Sequence, residues 1–507
     1  MNSKLAITNI ISSIILQVVT AISGLILPRF FISCYGSAIN GMVVSITQFL
    51  SYLALVEAGI SAAAVVELYK PLENQDEYRR NYILSAAKKF YLQSGILYTI
   101  CLILLLICYP AIIGDQVSHI TTVLMILVLA GSNLIDYFIL GKYRVLLSAD
   151  QKVYVLNHVQ SIGTILNLII TLMLMHLGFD VVTVKLVATL IYALRSLVII
   201  IYVKNRYKNI LFDLRTKKDA LPQRWSALFH QIVGVVCNNT DLILITICLG
   251  SQSLIEASVY YVYNLAASIF TSLANSISAA ITPTFGKLYV AQEKKPLENI
   301  YDNFEFIYFI MIFILYSCMY ILLLPFVSIY TLNVHDVNYV RPYLAFLFTA
   351  MGLIQNIRIP SLSMICAAGH YKQTRIRALL EALINLSVSV FLIFKMGIAG
   401  VVIGTICSFA YRSIDSIIYN KRFFNNRIVV RSFGRLIRNM GLMIIVCNYI
   451  FNIDLDILSL GTFLSKGFQC FFFCFVIFVF FNYLFEFKKI KQHFQVIKLL
   501  INFKLRL

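Results

Sequence analysis

The residues with the chemistry to act are charged side chains set inside long apolar runs. Arg29 follows Pro28, and Arg358 stands two residues before Pro360, each in a stretch of otherwise hydrocarbon side chains. A cation at the centre of a bilayer costs at least about 2.5–3.5 kcal/mol, so it must face a wet cavity or an anion. Each proline removes a helix hydrogen bond, which is tolerated where the backbone lines a cavity. We therefore read both arginines as cavity residues. Asp241 follows Cys237-Asn238-Asn239-Thr240, a polar run that must point to a bundle interior. It is suited to holding a coupling cation or proton, binding sugar hydroxyls or pairing with an arginine. Glu57 lies in the inner half of a second apolar run. Arg195 and Arg412 stand about two turns from the basic ends of theirs, in reach of lipid phosphate by snorkelling. Arg29, Arg358, Asp241, Glu57, Arg195, Arg412 and Asn239 form the candidate substrate-binding set. Asp136 and Glu381, near the basic ends, are expected to be solvated. Lys185, Arg341, Lys395 and Lys466, near the opposite ends, are expected to snorkel.

Enzymatic signatures are missing. No H-E-x-x-H, Walker A or G-x-S-x-G motif occurs, and no C-x-x-C pair among the 11 cysteines. No catalytic residue, metal ligand or cofactor is expected. Cys470 and Cys474, four apart, read as small packing residues on one helix face. Work would draw on an H⁺ or Na⁺ gradient, the membrane potential or the substrate gradient.

The elements that position these residues are membrane-spanning helices. Of 507 residues, 60% are hydrophobic and 13% charged, against roughly a quarter charged in a soluble domain, and the mean hydropathy is +0.83. Apolar stretches of about 20 residues, enough to cross a bilayer, are expected at 7–32, 39–66, 90–111, 120–140, 154–176, 182–202, 226–249, 257–283, 304–331, 341–367, 377–394, 398–419, 437–452 and 463–485. The net charge of +19 is concentrated in alternate connections, and all but eight of the 42 Lys and Arg fall there or in the termini. The opposite connections are short and carry Asp115, Asp180 and Asp336. That asymmetry places both termini in the cytoplasm and explains the basic balance without nucleic acid. Met1 to Leu5 runs straight into the first span, with no cleavable signal expected.

An internal repeat divides these spans. Arg195-Ser196-Leu197-Val198-Ile199-Ile200-Ile201-Tyr202-Val203-Lys204 and Arg412-Ser413-Ile414-Asp415-Ser416-Ile417-Ile418-Tyr419-Asn420-Lys421 match at six of ten positions, offset by 217. Ile60-Ser61-Ala62-Ala63 matches Ile277-Ser278-Ala279-Ala280 at the same offset, and Asn167 pairs with Asn385 at 218. The expected organisation is an all-α membrane protein of about fourteen helices. It comprises an N-lobe (1–203), a cytoplasmic linker (204–225), a C-lobe (226–421), and a terminal pair with a basic tail (422–507). Two six-helix lobes of like topology point to alternating access. Gly400 and Gly404 form a small-xxx-small pattern for close helix packing.

Leu27-Pro28-Arg29-Phe30-Phe31 with Tyr35-Gly36, Glu57-Ala58-Gly59-Ile60, Asn239-Thr240-Asp241-Leu242, Arg358-Ile359-Pro360, Ala368-Gly369-His370-Tyr371, Glu381-Ala382-Leu383-Ile384-Asn385 and Gly397-Ile398-Ala399-Gly400 occur in this order. Together they resemble the polysaccharide-exporter (Wzx-like) branch of the multidrug/oligosaccharidyl-lipid/polysaccharide (MOP) transporter superfamily. The resemblance implies a MATE/MOP-like fold in the bacterial inner membrane. It also implies a flippase for undecaprenyl-diphosphate-linked oligosaccharide units used in O-antigen, capsule or exopolysaccharide synthesis, with the polysaccharide polymerase and chain-length machinery as partners. Arginines would bind the diphosphate, and Phe471-Phe472-Phe473 with Phe475 would suit a polyprenyl groove. A drug or metabolite antiporter of the MATE type is the alternative. A membrane polymerase would need a large outer loop, which the sequence lacks.

Overall fold

A computed structural model describes residues 3–57, 60–207, 209–214, 235, 239–451, 459–487 and 489. Among them all regular structure is helical. The linker from 215 to 225, Cys237-Asn238, Ala58-Gly59 and most of the basic tail lie outside the described residues. The helices are α1 (Ser3–Leu53), α2 (Ile60–Glu73), α3 (Glu77–Ile113), α4 (His119–Ile135), α5 (Gly141–Ala149), α6 (Val153–His176) and α7 (Val181–Arg206). They continue with α8 (Asn239–Cys248), α9 (Ser253–Val290), α10 (Lys294–Tyr330), α11 (Pro342–Ile357), α12 (Ile359–Ala367), α13 (Tyr371–Met396), α14 (Ile398–Tyr419), α15 (Asn426–Phe451) and α16 (Leu460–Phe485).

Ten helical stretches among the described residues are long and apolar enough to cross a membrane. Four expected spans are not among them as separate helices, three of them for a local reason. The first two spans run together in α1, bent at Gly36, whose φ of 81° only glycine adopts cheaply. The seventh is described only from Asn239. The tenth is broken at Arg358 into α11 and α12. The thirteenth, expected over 437–452, starts at Asn426 and carries Arg427, Arg431, Arg435 and Arg438 on its first four turns.

The break at Arg358 follows from Pro360. Its ring nitrogen cannot donate to the Asn356 carbonyl, so that carbonyl would be left unsatisfied. Tyr308 Oη supplies the missing bond to it at 3.0 Å.

The chain divides into two compact units, 1–261 with 333–337, and 262–332 with 338–507. In the first, Met42, Ile46, Leu84, Tyr98, Met125, Ile126 and Leu146 form part of a continuous buried core. The short segment 333–337 belongs there because Asp336 caps the chain after the Gly36 bend: Ser37 N donates to Asp336 Oδ2 and Ser37 Oγ to Oδ1, each at 2.7 Å. In the second unit α10 is the most enclosed span, packed by α11, α15 and α16. α13 and α14 lie together through glycine. A Cβ on Gly400 would overlap the Leu392 carbonyl, and one on Gly404 would overlap Ser389.

Gly404→Val should therefore lower stability by about 1–3 kcal/mol through overpacking. Gly441→Ala, where no atom lies within 4 Å of the added carbon, should leave the melting temperature in detergent unchanged or raised.

Candidate functional site

Three ion networks organise the polar interior. In the first unit, Arg144 Nη2 donates to Glu57 Oε1 and Arg144 Nη1 to Asp136 Oδ2, both at 2.9 Å. The chain makes this possible with two irregular turns. Glu57 sits in a 3₁₀ turn after α1, and Asp136 opens a π-helical turn, Asp136–Leu140, between α4 and α5. Such turns recur at functional sites. Gly141 follows, and a Cβ there would lie 2.5 Å from the Tyr91 ring. Two carboxylates share one guanidinium, leaving an excess of negative charge. Asp136 is thus an ion-pair partner and not a solvated end residue.

In the second unit, Arg358 Nη1 donates to Glu381 Oε1, whose other oxygen is 3.6 Å from Arg412 Nε. Arg412 Nη1 bonds Asp415 Oδ2 at 3.1 Å, and Arg377 pairs with Asp415 as well. The Arg358 guanidinium also lies 4.6 Å from the Phe409 ring centre. Three arginines meet two carboxylates, leaving one positive charge over. Arg412 and Glu381 are each 6% exposed; neither snorkels nor is solvated, because each is the other's counter-ion. Arg358, read as a cavity cation, is held by a carboxylate at the α11–α12 break.

The third network fixes the terminal pair. Arg435, 1% exposed, reaches Glu305, 0% exposed, at 3.0 Å, Asp302 at 2.9 Å and Glu486 at 2.7 Å. Arg431 pairs with Asp302 at 3.0 Å and Arg438 with Glu486 at 3.1 Å, and Lys489 bonds Asp302. Burial pushes the Glu486 carboxyl up, but bonds from Arg435 and Arg438 outweigh it and hold it below the ordinary glutamate value. The spacing of Arg431, Arg435 and Arg438 along one helix face was the available signal. It was hidden because basic residues before an apolar run read as a cytoplasmic connection.

The remaining candidates lie apart. Asp241 accepts from Tyr260 Oη at 2.8 Å. Its neighbour Thr240 meets Tyr52 Oη at 2.5 Å; Asn239 opens the same helix. Arg29 is half-buried, with no carboxylate in ion-pair range among the described residues. Arg195 lies 4.0 Å over the Tyr192 ring and, with Lys185, lines a cavity between α4, α6 and α7. Lys185, expected to snorkel, lies 4.1 Å from the Phe31 ring centre. The structure joins Arg358 to Arg412 and Glu57 to Arg144, and brings the other candidates to no common point within either unit.

Two further features touch the terminal pair. Buried Cys318, Cys470 and Cys474 hold their sulfurs within 4.8 Å of one another, the group of described residues able to hold a soft metal ion. Packing, not spacing, adds Cys318. Phe471, Phe472, Phe473 and Phe475 are 37–61% exposed, so they face outward. An apolar cavity of about 350 Å³ lies instead between α10, α11 and α15, lined by Tyr320, Phe346, Leu353, Met440, Ile444 and Cys447 among others.

All-helical units whose helices are long and apolar enough to cross a membrane, with charges paired in their interiors, define a multi-pass membrane protein. The comparisons specify it further. A lipid II flippase MurJ in an inward closed conformation matches at TM-score 0.67 and 15% identity, covering 94% of this chain and 99% of its own. An inward-facing multidrug resistance MATE family transporter of the MOP superfamily matches at TM-score 0.61 and 13% identity, over 80% of this chain and 93% of its own. A MOP superfamily transporter from Pyrococcus furiosus, described as having a binding pocket of reverse polarity, matches at TM-score 0.57 and 14% identity, over 84% and 95%. The chain shares the fold of these solved structures, which are described as MOP-superfamily transporters and a lipid II flippase. No family model and no curated protein sequence matches it.

Removing the centre of the third network tests its role. Arg435→Ala leaves Glu305 buried without its cation and should cost about 3–5 kcal/mol, read as a lower melting temperature and as protease cleavage between α14 and α15. Because the folded Glu486 carboxyl lies below its ordinary value of 4.5, its contribution is complete above about that pH. Acidification through the lower folded value should remove it, and Glu486→Gln should flatten that part of the pH–stability profile.

Proposed function

We propose that this protein is a flippase of the Wzx-like kind, carrying undecaprenyl-diphosphate-linked oligosaccharide units across the bacterial inner membrane by alternating access, with both termini in the cytoplasm. The observation that carries the reading is the positive excess of the Arg358–Glu381–Arg412–Asp415–Arg377 network, buried at a helix break. A diphosphate is a stronger bidentate partner for Arg358 than a carboxylate. Its arrival would release Glu381 to Arg412, so the substrate exchanges one anion for another and leaves no charge bare. Substrate binding and movement at the α11–α12 break would be coupled in that way.

Two further observations support it. The apolar cavity beside α15 offers hydrocarbon contact for a polyprenyl chain, in place of the outward-facing phenylalanines. The lipid II flippase also aligns over more of this chain than the MATE transporter does, and the terminal pair is bound firmly to α10. An H⁺ or Na⁺ gradient or the membrane potential would drive the cycle, with a polysaccharide polymerase as the consuming partner. O-antigen, capsule and exopolysaccharide units share the diphosphate and remain equal candidates.

A second reading, an ion-coupled drug or metabolite antiporter, is favoured by the opposite excess around Arg144. Two carboxylates on one arginine leave a negative charge that a proton or metal cation could neutralise.

Arg358→Ala should abolish surface polysaccharide and leave lipid-linked units facing the cytoplasm, while Arg358→Lys keeps part of the activity. Normal polymer from the alanine variant at native expression would refute the substrate-binding role of Arg358. Leu353→Trp, which fills the apolar cavity, should slow transport of long-chain substrates at least tenfold while sparing a short-chain analogue.

A further inference from the structure

The two repeats place the same arginine in opposite surroundings. In the second, Arg412 is neutralised by Glu381 on α13 and Asp415 on α14. At the same offset from its own repeat partner stands Arg195, with Thr164 in the place of Glu381 and Val198 in the place of Asp415. Aligning Asn167 with Asn385 instead puts Gly163 opposite Glu381. Neither residue ionises. The hydroxyls that fix Asn385, Thr405 at 2.9 Å and Ser408 at 3.5 Å, become Ala188 and Ile191.

What fills the second repeat is thus missing from the first, and a cavity of about 240 Å³ occupies the space. Gly163, Thr164, Asn167, Ala188, Ile191 and Arg195 all line it. Gly163 makes room for the guanidinium stem, since a Cβ there would lie 3.2 Å from Arg195 Cδ. A second cation, Lys185, enters from the other end of α7. No carboxylate among the described residues lies within ion-pair distance of either. Asp136, which faces Tyr192 beside Arg195, is held by Arg144.

We propose that this cavity is an anion site for a phosphate-class group, with Arg195 and Lys185 as its cations and Thr164 and the Asn167 amide as its neutral donors. Arg195, near the middle of α7, and Lys185, about one turn from its start, have no carboxylate partner among the described residues, and a cation in a membrane interior favours a mobile anion. The volume, equal to about eight waters at ~30 Å³ each, exceeds what a monatomic ion fills, and a guanidinium with an ammonium matches phosphate oxygens. The phosphate is either the headgroup of a lipid or a free phosphate. Only the lipid source rests on the flippase reading.

The test uses full-length protein in detergent, with binding followed by calorimetry and thermal shift for inorganic pyrophosphate and for farnesyl diphosphate, against chloride at equal ionic strength. An Arg358→Ala background keeps the other unit's arginine from contributing. Both diphosphates should bind and stabilise the protein beyond chloride. Farnesyl diphosphate at least tenfold tighter assigns the site to a lipid headgroup; equal affinities assign it to free phosphate. Arg195→Gln and Lys185→Gln should each weaken binding at least tenfold. Thr164→Glu, which restores the other repeat's carboxylate, should abolish binding while keeping or raising the melting temperature. No stabilisation beyond chloride, or wild-type affinity in Arg195→Gln and Thr164→Glu, overturns the proposal. If the wild-type protein in vesicles moves no lipid-linked diphosphate between leaflets, the flippase reading fails while this site stands as one for free phosphate.

Discussion

Hydrocarbon offers a charge no solvent, so each buried charge in this protein must find its counter-ion inside the chain or acquire one from outside. The three ion networks follow from that constraint. A buried guanidinium without a partner is costly, and the chain bends to avoid it. The 3₁₀ turn at Glu57, the π turn at Asp136 and the break at Arg358 all stand where a helix departs from regularity to bring an acid and an arginine together. The irregular turns and the charges are thus two views of one arrangement.

The networks differ in enclosure and in what they join: four cations meet three carboxylates around Arg435, three meet two around Arg358, and one meets two around Arg144. The network around Arg435 is the most enclosed, and it ties α15 and the chain after α16 to α10. It makes the terminal pair part of the second unit and not an appendage. The networks around Arg358 and Arg144 are each unbalanced by one charge, in opposite senses. The Arg358 network differs from the Arg435 network in standing at a helix break.

The sequence repeat gives the same comparison within one chain. α6 and α7 repeat α13 and α14, yet the later pair is sealed by Glu381, Asp415, Thr405 and Ser408, whereas the earlier pair keeps the arginine and loses its partners. Six-in-ten identity around Arg195 and Arg412 marks the equivalence, but equal sequence at the arginine does not mean equal surroundings. Partners on a neighbouring helix decide whether the position is filled or open.

The sequence by itself determined that the chain is an all-helical membrane protein and which ionisable residues lie within apolar runs. Span length and hydrophobicity are local properties, read directly from twenty consecutive residues. It also marked Gly400 and Gly404, since close packing needs small residues at a fixed spacing. Tertiary structure decided the pairing. Asp136 and Glu381 look like solvated end residues, and Arg144 and Arg435 like cytoplasmic charges, until packing brings partners 87 and 130 residues apart together. A buried charge is defined by its neighbours in space, and the alternation of apolar and basic segments carries no record of which helix faces which.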